Sequence, residues 1–223
     1  MSMRTLVVAT GNKHKVTEFG QILTDRDYDL RHLGQYPDVL PADETGDTFV
    51  ANALEKALHA KDALGLPCCA DDSGIGVAAL DGAPGIRSAR YAGDGATDED
   101  NNALLLQRMR DVDDRTAYFS CAVVLVVPVE FAGQWFPGGS PRVEGAGWVK
   151  FPAQDAWVLT AETTTFGELL RSPRGSGGFG YDPLFLHVPS GQTYSEMTPD
   201  EKNAVSHRGR ALRLMATKLA MGT

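Results

Sequence analysis

The chain has 223 residues, of which 43% are hydrophobic and 22% are charged, and this suits a globular protein with one large domain or two lobes that share a core. A net charge of −8 argues against general binding to nucleic acid, although a single nucleotide needs only a local group of cations. Because the sequence has no apolar run of about 18 residues, no signal-peptide pattern and no metal-binding cysteine spacing, we expect no membrane span and a reducing, cytoplasmic location.

The first predicted unit is a strand over residues 6–9, a short turn and a helix. The turn carries Gly11, Asn12 and Lys15. A helix amino terminus presents backbone N–H groups and partial positive charge, so this turn favours an anion within reach of Lys15. An ordinary capped helix start fits about as well, and the spacing of a P-loop is absent.

A second helix is predicted over residues 49–64, with Thr48 as its amino-terminal cap. Asn52 and Lys56 lie four residues apart and share a face different from the apolar one. That face could line a site, but spacing alone favours a solvated helix surface. An acidic turn that contains Glu44 precedes this helix.

A short apolar strand is predicted to end at Asp71 and Asp72, and Ser73 and Gly74 are expected to reverse the chain. Such strand ends are common places for ligands in α/β folds. Alternate side chains of an extended backbone point to opposite sides, so one carboxylate could face a site while the other holds the turn. A solvated junction fits this stretch alone about equally well.

The middle of the chain is predicted to form further strands, a third helix and an exposed, mobile hairpin tip. A capping box of Thr97 and Asp100 begins the helix. The strands are predicted over residues 77–80, 117–129, 145–151 and 156–160, and the tip over residues 130–144.

Near the carboxyl end, glycines alternate with aromatic residues over residues 175–183. Dense glycine beside Phe179 suits a loop whose backbone approaches a flat ligand closely. Lys202, His207 and Arg208 follow on one segment. A lone histidine is usually structural, but these neighbours make contact with an anion or a base plausible.

Five stretches together resemble the inosine triphosphate pyrophosphatase family and occur in the family's order over nearly the whole chain. They are Thr10-Gly11-Asn12-x-x-Lys15, Glu44-Thr45-Gly46 with Phe49-x-x-Asn52-Ala53, Ala70-Asp71-Asp72-Ser73-Gly74, Gly178-Phe179-Gly180-Tyr181-Asp182-Pro183 and Ser206-His207-Arg208-Gly209. The resemblance implies an elongated, two-lobed α/β fold in which helices flank a twisted mixed sheet around a central active-site cleft. It also implies one pyrophosphatase domain over residues 1–223, usually paired as a homodimer.

The activity implied by the resemblance is Mg²⁺-dependent hydrolysis of noncanonical purine nucleoside triphosphates, such as ITP, dITP and XTP. The products are the nucleoside monophosphate and pyrophosphate, and the role is house-cleaning of the nucleotide pool. Glu44 and Asp72 match the metal ligands, and Asp72 also matches the catalytic proton acceptor. The substrate-binding positions are Thr10, Gly11, Asn12, Lys15, Lys56, Ser73, Phe179, Gly180, Tyr181, Asp182, Lys202, His207 and Arg208.

Some features depart from the family pattern. Ala51 stands where the family commonly has a glutamate, and segments 130–141 and 154–171 look longer than in compact members. Three other functions stay open at this point: a pyrophosphatase of modified pyrimidine triphosphates, a non-catalytic nucleotide-binding protein, and a phosphatase with an aspartyl nucleophile. No nucleic-acid or membrane partner is expected.

Overall fold

The computed structural model of the protein describes residues 3–23, 28–136, 138–141 and 147–222, which divide into two compact units. Unit 1 consists of Met1–Asp72, Ala122–Glu162 and Ala211–Thr223, and unit 2 consists of Ser73–Cys121 and Thr163–Arg210. The chain therefore passes several times from one unit to the other. In the described part of the chain, no helix is long and apolar enough to cross a membrane.

Six α-helices and eight strands are present in the described residues. The helices are α1 (Lys13–Leu23), α2 (Phe49–Leu64), α3 (Asp98–Arg108), α4 (Ala132–Trp135), α5 (Pro199–Val205) and α6 (His207–Gly222). The strands are β1 (Arg4–Val8), β2 (Tyr28–His32), β3 (Cys68–Val77), β4 (Thr116–Pro128), β5 (Trp148–Phe151), β6 (Ala156–Leu169), β7 (Phe185–His187) and β8 (Gln192–Thr193).

The strands form one open, mixed sheet in the order β2-β1-β3-β4-β6-β7-β8, with β5 also paired to β6. β1 is parallel to β2 and β3. The pairs β5–β6, β6–β7 and β7–β8 are antiparallel. A mixed sheet flanked by helices confirms the predicted α/β class.

In unit 1, α2 packs on the sheet through small side chains. Ala53, Ala57 and Ala60 are fully buried and cluster with Val7 and Cys68 of the strands. Alanine lets a helix approach a sheet closely, so α2 has little freedom to shift. The polar residues between these alanines are consequently held at fixed positions.

The core of unit 2 is aromatic. Phe119 on β4 has its ring centroid 4.9 Å from that of Phe185 and 5.7 Å from that of Tyr194. Leu105 of α3 and Met109, the residue that follows this helix, are fully buried in the same cluster. Aromatic pairs bury large areas in defined geometries, and this core therefore provides a stiff base for the loops around it.

The turn predicted at Ser73 and Gly74 is wrong, because β3 continues without interruption to Val77. Nine of its ten residues are buried. Charged residues often end a strand because they are better solvated outside the sheet. Here Asp71 and Asp72 are buried, but each pairs with a partly buried lysine, and the strand continues.

Two other predictions in this region need correction. Residues 78–80 form a 3₁₀ turn rather than part of a strand. The hairpin tip predicted over residues 130–144 is wrong in its first part, where α4 buries Trp135 and Phe136. Pro137 and residues 142–144 of that prediction lie outside the described residues, as do residues 145–146 of the predicted strand over 145–151.

Other predictions about the elements hold. The long strand over residues 117–129 is β4, shifted by one residue. Thr48 caps α2, accepting a hydrogen bond from the N–H of Ala51 at 3.1 Å, and Thr97 and Asp100 form the capping box of α3. The strand expected over residues 156–160 exists but extends to Leu169 as β6.

Candidate functional site

The turn before α1 in unit 1 is organised by Asn12. Its Oδ1 accepts hydrogen bonds from the N–H groups of His14 at 2.9 Å and Lys15 at 3.4 Å. Thr10 Oγ1 in turn accepts from the Asn12 N–H at 3.2 Å. Asn12 thus acts as a helix cap, while the exposed Gly11 between them gives an incoming group access to the backbone.

The two consecutive carboxylates of β3 face different helices of unit 1. Lys15 Nζ on α1 lies 3.0 Å from Asp71 Oδ2, and Lys56 Nζ on α2 lies 3.0 Å from Asp72 Oδ1. The alternation expected of an extended backbone is confirmed by these separate partners. Asp71 therefore anchors the α1 lysine, and Asp72 belongs to a different contact.

Lys56 connects the acidic turn before α2 with strand β3. Its Nζ lies 3.0 Å from Glu44 Oε1 and 3.0 Å from Asp72 Oδ1. The two carboxylate oxygens can therefore be no farther apart than twice this distance. The sequence placed Glu44 and Asp72 in separate segments, and the structure brings them to one ammonium group.

Asn52, which shares a helix face with Lys56 but was not among the predicted binding residues, contacts Asp72. Its side chain is fully buried, and Nδ2 donates to Asp72 Oδ2 at 3.1 Å. Lys56 is also mostly buried, with 14% of its side chain exposed. The predicted solvated face of α2 is wrong, because the carboxylate of Asp72 lies against this face and compensates the burial of both polar groups.

We call Lys15, Glu44, Lys56, Asp71 and Asp72 the acidic set. It combines three carboxylates with two ammonium groups. Burial alone would lower the pKa of Lys56, but the three carboxylates outweigh it and raise that pKa, with Asp72 as the largest contributor. Burial raises the pKa of Asp72, Glu44 adds to this, and Lys56 and Asn52 oppose it. The set therefore has an excess of negative charge.

The donor set fits a hard divalent cation. Glu44 and Asp72 are two carboxylates that already meet at one cation, the Lys56 ammonium. Over the described ranges of the chain, no three His, Cys, Asp or Glu side chains are grouped to hold a metal ion. Mg²⁺ usually takes only one or two protein carboxylates and completes its shell with phosphate oxygens and water.

The loop that presents Glu44 is held by α2. Glu55 accepts two hydrogen bonds from Thr45, at 2.9 Å each from its N–H and its Oγ1, and these bonds lower the pKa of Glu55. Gly46 passes so close to the helix that a Cβ there would lie 2.6 Å from Ala51 Cβ. Only glycine fits this approach, so the loop is seated directly on the first turn of α2.

In unit 2, Lys202 lies between a carboxylate and an aromatic ring. Its Nζ is 2.7 Å from Asp182 Oδ2 and 4.7 Å from the centroid of the Phe179 ring. Asp182 Oδ2 also accepts from the N–H of Phe179 at 2.9 Å. Because Lys202 and Asp182 are both buried, the pair helps to fix the position of the Phe179 ring beside it.

Arg208 and Ser73 form the second polar contact of unit 2. Arg208 is 2% exposed, and its Nη2 donates to Ser73 Oγ at 2.8 Å. Its guanidinium carbon lies 5.6 Å from the centroid of the Phe179 ring. Two cations thus lie near one aromatic ring, and cation–π attraction to the negative face of the ring stabilises this arrangement.

Two predicted substrate contacts have side chains that belong to the core. The His207 ring is buried and stacks on Phe119 at 4.5 Å with an angle of 6° between the planes. The Tyr181 hydroxyl is also buried and donates to the Ser88 carbonyl at 2.9 Å. Contact of either residue with a base stays a prediction. We call Phe179, Asp182, Lys202, His207 and Arg208 the aromatic set.

The sites predicted from the motifs thus fall into two groups within the two units. Unit 1 holds Thr10, Gly11, Asn12, Lys15, Glu44, Lys56 and Asp72, and unit 2 holds Ser73, Phe179, Gly180, Tyr181, Asp182, Lys202, His207 and Arg208. Asn52, four residues before Lys56, was missed as a site residue, although its helical spacing was the available signal.

The chain matches known proteins both in sequence and in structure. A protein-family model described as the Ham1 family matches residues 6–218. A dITP/XTP pyrophosphatase of Syntrophobacter fumaroxidans is 45% identical over 95% of this chain and 80% of its own length. One of Geobacter sulfurreducens is 44% identical over 97% of both chains. The solved structure of a HAM1 protein from Coxiella burnetii matches with a TM-score of 0.79 and 37% identity, over 98% of this chain and 99% of that one.

Proposed function

Because the chain belongs to the Ham1 family, as its five motifs indicated, we propose that it hydrolyses noncanonical purine nucleoside triphosphates such as dITP, XTP and ITP. The products are the nucleoside monophosphate and pyrophosphate. The observation that carries this proposal is the meeting of Glu44 and Asp72 at the Lys56 ammonium. Such a pair of carboxylates beside lysines suits a metal-bound polyphosphate.

The cofactor we propose is Mg²⁺, which Glu44 and Asp72 would hold together with phosphate oxygens and water. When bound, Mg²⁺ would neutralise part of the phosphate charge and lower the pKa of a bound water molecule. The excess negative charge of the acidic set supports a cation at this place. Asn52 and Lys56 would keep the Asp72 carboxylate oriented throughout.

The catalytic residue we propose is Asp72, which orients the attacking water and accepts its proton. Its burial raises its pKa, which makes it a better base than an exposed aspartate once it is ionised. Lys15 and Lys56 neutralise charge that develops on the leaving pyrophosphate. Thr10, Gly11 and Asn12 bind the phosphate chain through the turn before α1.

The aromatic set binds the purine base in this proposal. Phe179 provides the stacking surface, and Lys202 or Arg208 donates to a 6-oxo group. Adenine presents an amino group in that position and leaves a buried donor without an acceptor, which discriminates strongly. His207, Gly180, Tyr181 and Asp182 complete this part of the site, and Ser73 contacts the substrate next to Asp72 in sequence.

We further propose that both units act as one pyrophosphatase domain over residues 1–223. The match of the family model to residues 6–218 includes segments of both units and supports this. A homodimer, a cytoplasmic location and the absence of a nucleic-acid partner are proposals that rest on the resemblance and on the net charge of −8.

The test is product analysis with ITP and Mg²⁺, followed by the same reaction in excess chelator. We expect IMP and pyrophosphate in equal amounts with metal and neither without it. Release of inorganic phosphate would indicate a phosphatase with an aspartyl nucleophile. Turnover of dUTP or methylated dTTP in preference to ITP would indicate a pyrimidine enzyme, and binding without turnover a non-catalytic protein.

A further inference from the structure

The loop that carries Phe179 is held by one face of α3. The N–H of Gly180 donates to Asp98 Oδ2 at 2.6 Å, and the Gly180 carbonyl accepts from Asn102 Nδ2 at 2.9 Å. Asp98 and Asn102 are four residues apart, so they are neighbours on one face of the helix. Together they hold both peptide groups that flank Gly180.

These bonds restrict the backbone on the carboxyl side of Phe179. Its own N–H is bound by Asp182, and the next N–H along the chain is bound by Asp98. Gly180 has a φ of +60°, in the left-handed region that favours glycine. While both bonds are formed, these two N–H groups donate to carboxylates, so a base must be recognised through other donors.

The helix that provides these contacts is itself firmly placed. Thr97 and Asp100 form a capping box at its start, and Leu105 is fully buried in the core of unit 2. Asn101 accepts from the N–H of Ala92 at 2.8 Å and donates to the Ala89 carbonyl at 3.2 Å. A rigid support of this kind can set the geometry of a loop that has little regular structure of its own.

We propose that Asp98 and Asn102 are positioning residues for the purine base. By holding Gly180 they set the orientation of the Phe179 ring on which the base stacks, an inference that rests on the proposed function. Neither residue belongs to the acidic set, so their loss weakens base binding and base selection and leaves the hydrolytic step nearly unchanged.

The first experiment measures amide hydrogen exchange of the full chain over residues 175–183. Asp98→Ala is compared with Glu99→Ala, because both remove a carboxylate from the first turn of α3 and differ in the contact with the loop. We expect exchange in this segment to rise by roughly tenfold or more in Asp98→Ala, and to stay unchanged in Glu99→Ala. Equal exchange in the two variants overturns the proposal.

The second experiment measures kcat and KM for ITP and for GTP. We expect Asp98→Ala to raise the KM for ITP by roughly tenfold, with kcat within about threefold, and to reduce the preference for ITP over GTP. Asp98→Asn should restore part of the loss, since its amide oxygen can accept from Gly180. An unchanged KM, or the same change in Glu99→Ala, contradicts the proposal.

A second variant keeps the test decisive if Asp98→Ala does not fold. Asn102→Leu has similar volume and removes only the bond to the Gly180 carbonyl, so we expect a rise in KM of a few fold. No change in exchange or in KM would overturn the proposal. If the unmodified protein fails to hydrolyse ITP, the proposed function fails, and hydrogen exchange still decides whether α3 holds the loop.

Discussion

The acidic set of unit 1 and the aromatic set of unit 2 each contain a mostly buried lysine, but the two lysines are compensated differently. Lys56 lies between two carboxylates, one of which, Glu44, has 30% of its side chain exposed. Lys202 is paired with the buried carboxylate of Asp182 and also lies over the Phe179 ring, whose face attracts the ammonium charge.

The difference shows how each region suits its proposed ligand. Three carboxylates against two lysines leave negative charge in the acidic set, which favours a metal cation. Two cations against Asp182 leave positive charge in the aromatic set, which favours an electronegative group such as a purine 6-oxo oxygen. The acidic set of unit 1 thus consists of charged groups alone, whereas the aromatic set of unit 2 combines charged groups with an aromatic ring.

The largest expected effect is a loss of stability in unit 2. Lys202→Met leaves the Asp182 carboxylate buried without its ammonium partner, and breaking a buried ion pair in this way costs about 3–5 kcal/mol. Urea unfolding of the variant and of the unmodified protein measures this loss of stability. The matched change Lys56→Met should cost less, because Glu44 is partly solvated whereas Asp182 is buried. Both aspartates keep a neutral donor, Asn52 for Asp72 and the Phe179 N–H for Asp182. An equal loss in both variants would contradict the contrast between the two regions.

The second prediction concerns activity in unit 1. Asp72→Asn keeps the shape of the side chain but removes the proposed base and a proposed metal ligand, so we expect ITP hydrolysis to fall by about 10²-fold or more. Steady-state kinetics at saturating ITP measure this loss. Asp43→Asn, an exposed change in the acidic turn, is the control and should keep full activity. Hydrolysis retained by Asp72→Asn would refute the assignment.

The third prediction tests the stacking surface. Phe179→Leu keeps apolar volume but loses the aromatic face, and stacking of a base on such a face contributes about 1–3 kcal/mol. We expect KM for ITP to rise by roughly tenfold with little change in kcat. Phe166→Leu changes a phenylalanine that is 69% exposed in the same unit and should leave KM unaltered.

A smaller effect is expected at the start of α2. Ala51 occupies the third position of this helix, where a glutamate would complete a capping box with Thr48. Ala51→Glu should therefore stabilise the protein by about 0.5–1 kcal/mol in urea unfolding. Ala51→Gln should give a similar gain. A several-fold rise in activity without added stability would instead assign the family's glutamate to catalysis.

The smallest effect concerns the pH dependence of stability at α3. The Thr97 N–H lowers the pKa of Asp100 below its ordinary value of 3.8. A lowered folded pKa means that the stabilisation is present above pH 3.8 and is lost as the pH falls through the folded pKa. Asp100→Asn should thus be less stable than the unmodified protein at pH 7, and the difference should shrink in acid. Glu99→Gln, which takes no part in this capping box, should show no such change.

Local patterns in the sequence predicted the elements that depend on neighbouring residues. Thr48 and the alanine-rich face that follows it predicted α2, and the run of valines predicted β4, because caps and periodicity act over a few residues. The motif residues likewise predicted two groups of binding residues, which lie within the two units. Caps, periodicity and motifs can be recognised in the sequence without knowing which distant residues each element contacts.

Only the tertiary structure decided whether the polar residues within these elements were solvated. The expected turn after Asp72 is absent because Lys15 and Lys56 arrive from distant segments and compensate two buried carboxylates. Asn52 is buried for the same reason, and Asp98 meets Gly180 across 82 residues of sequence. Burial and ion pairing depend on long-range contacts, so no local pattern could have predicted them.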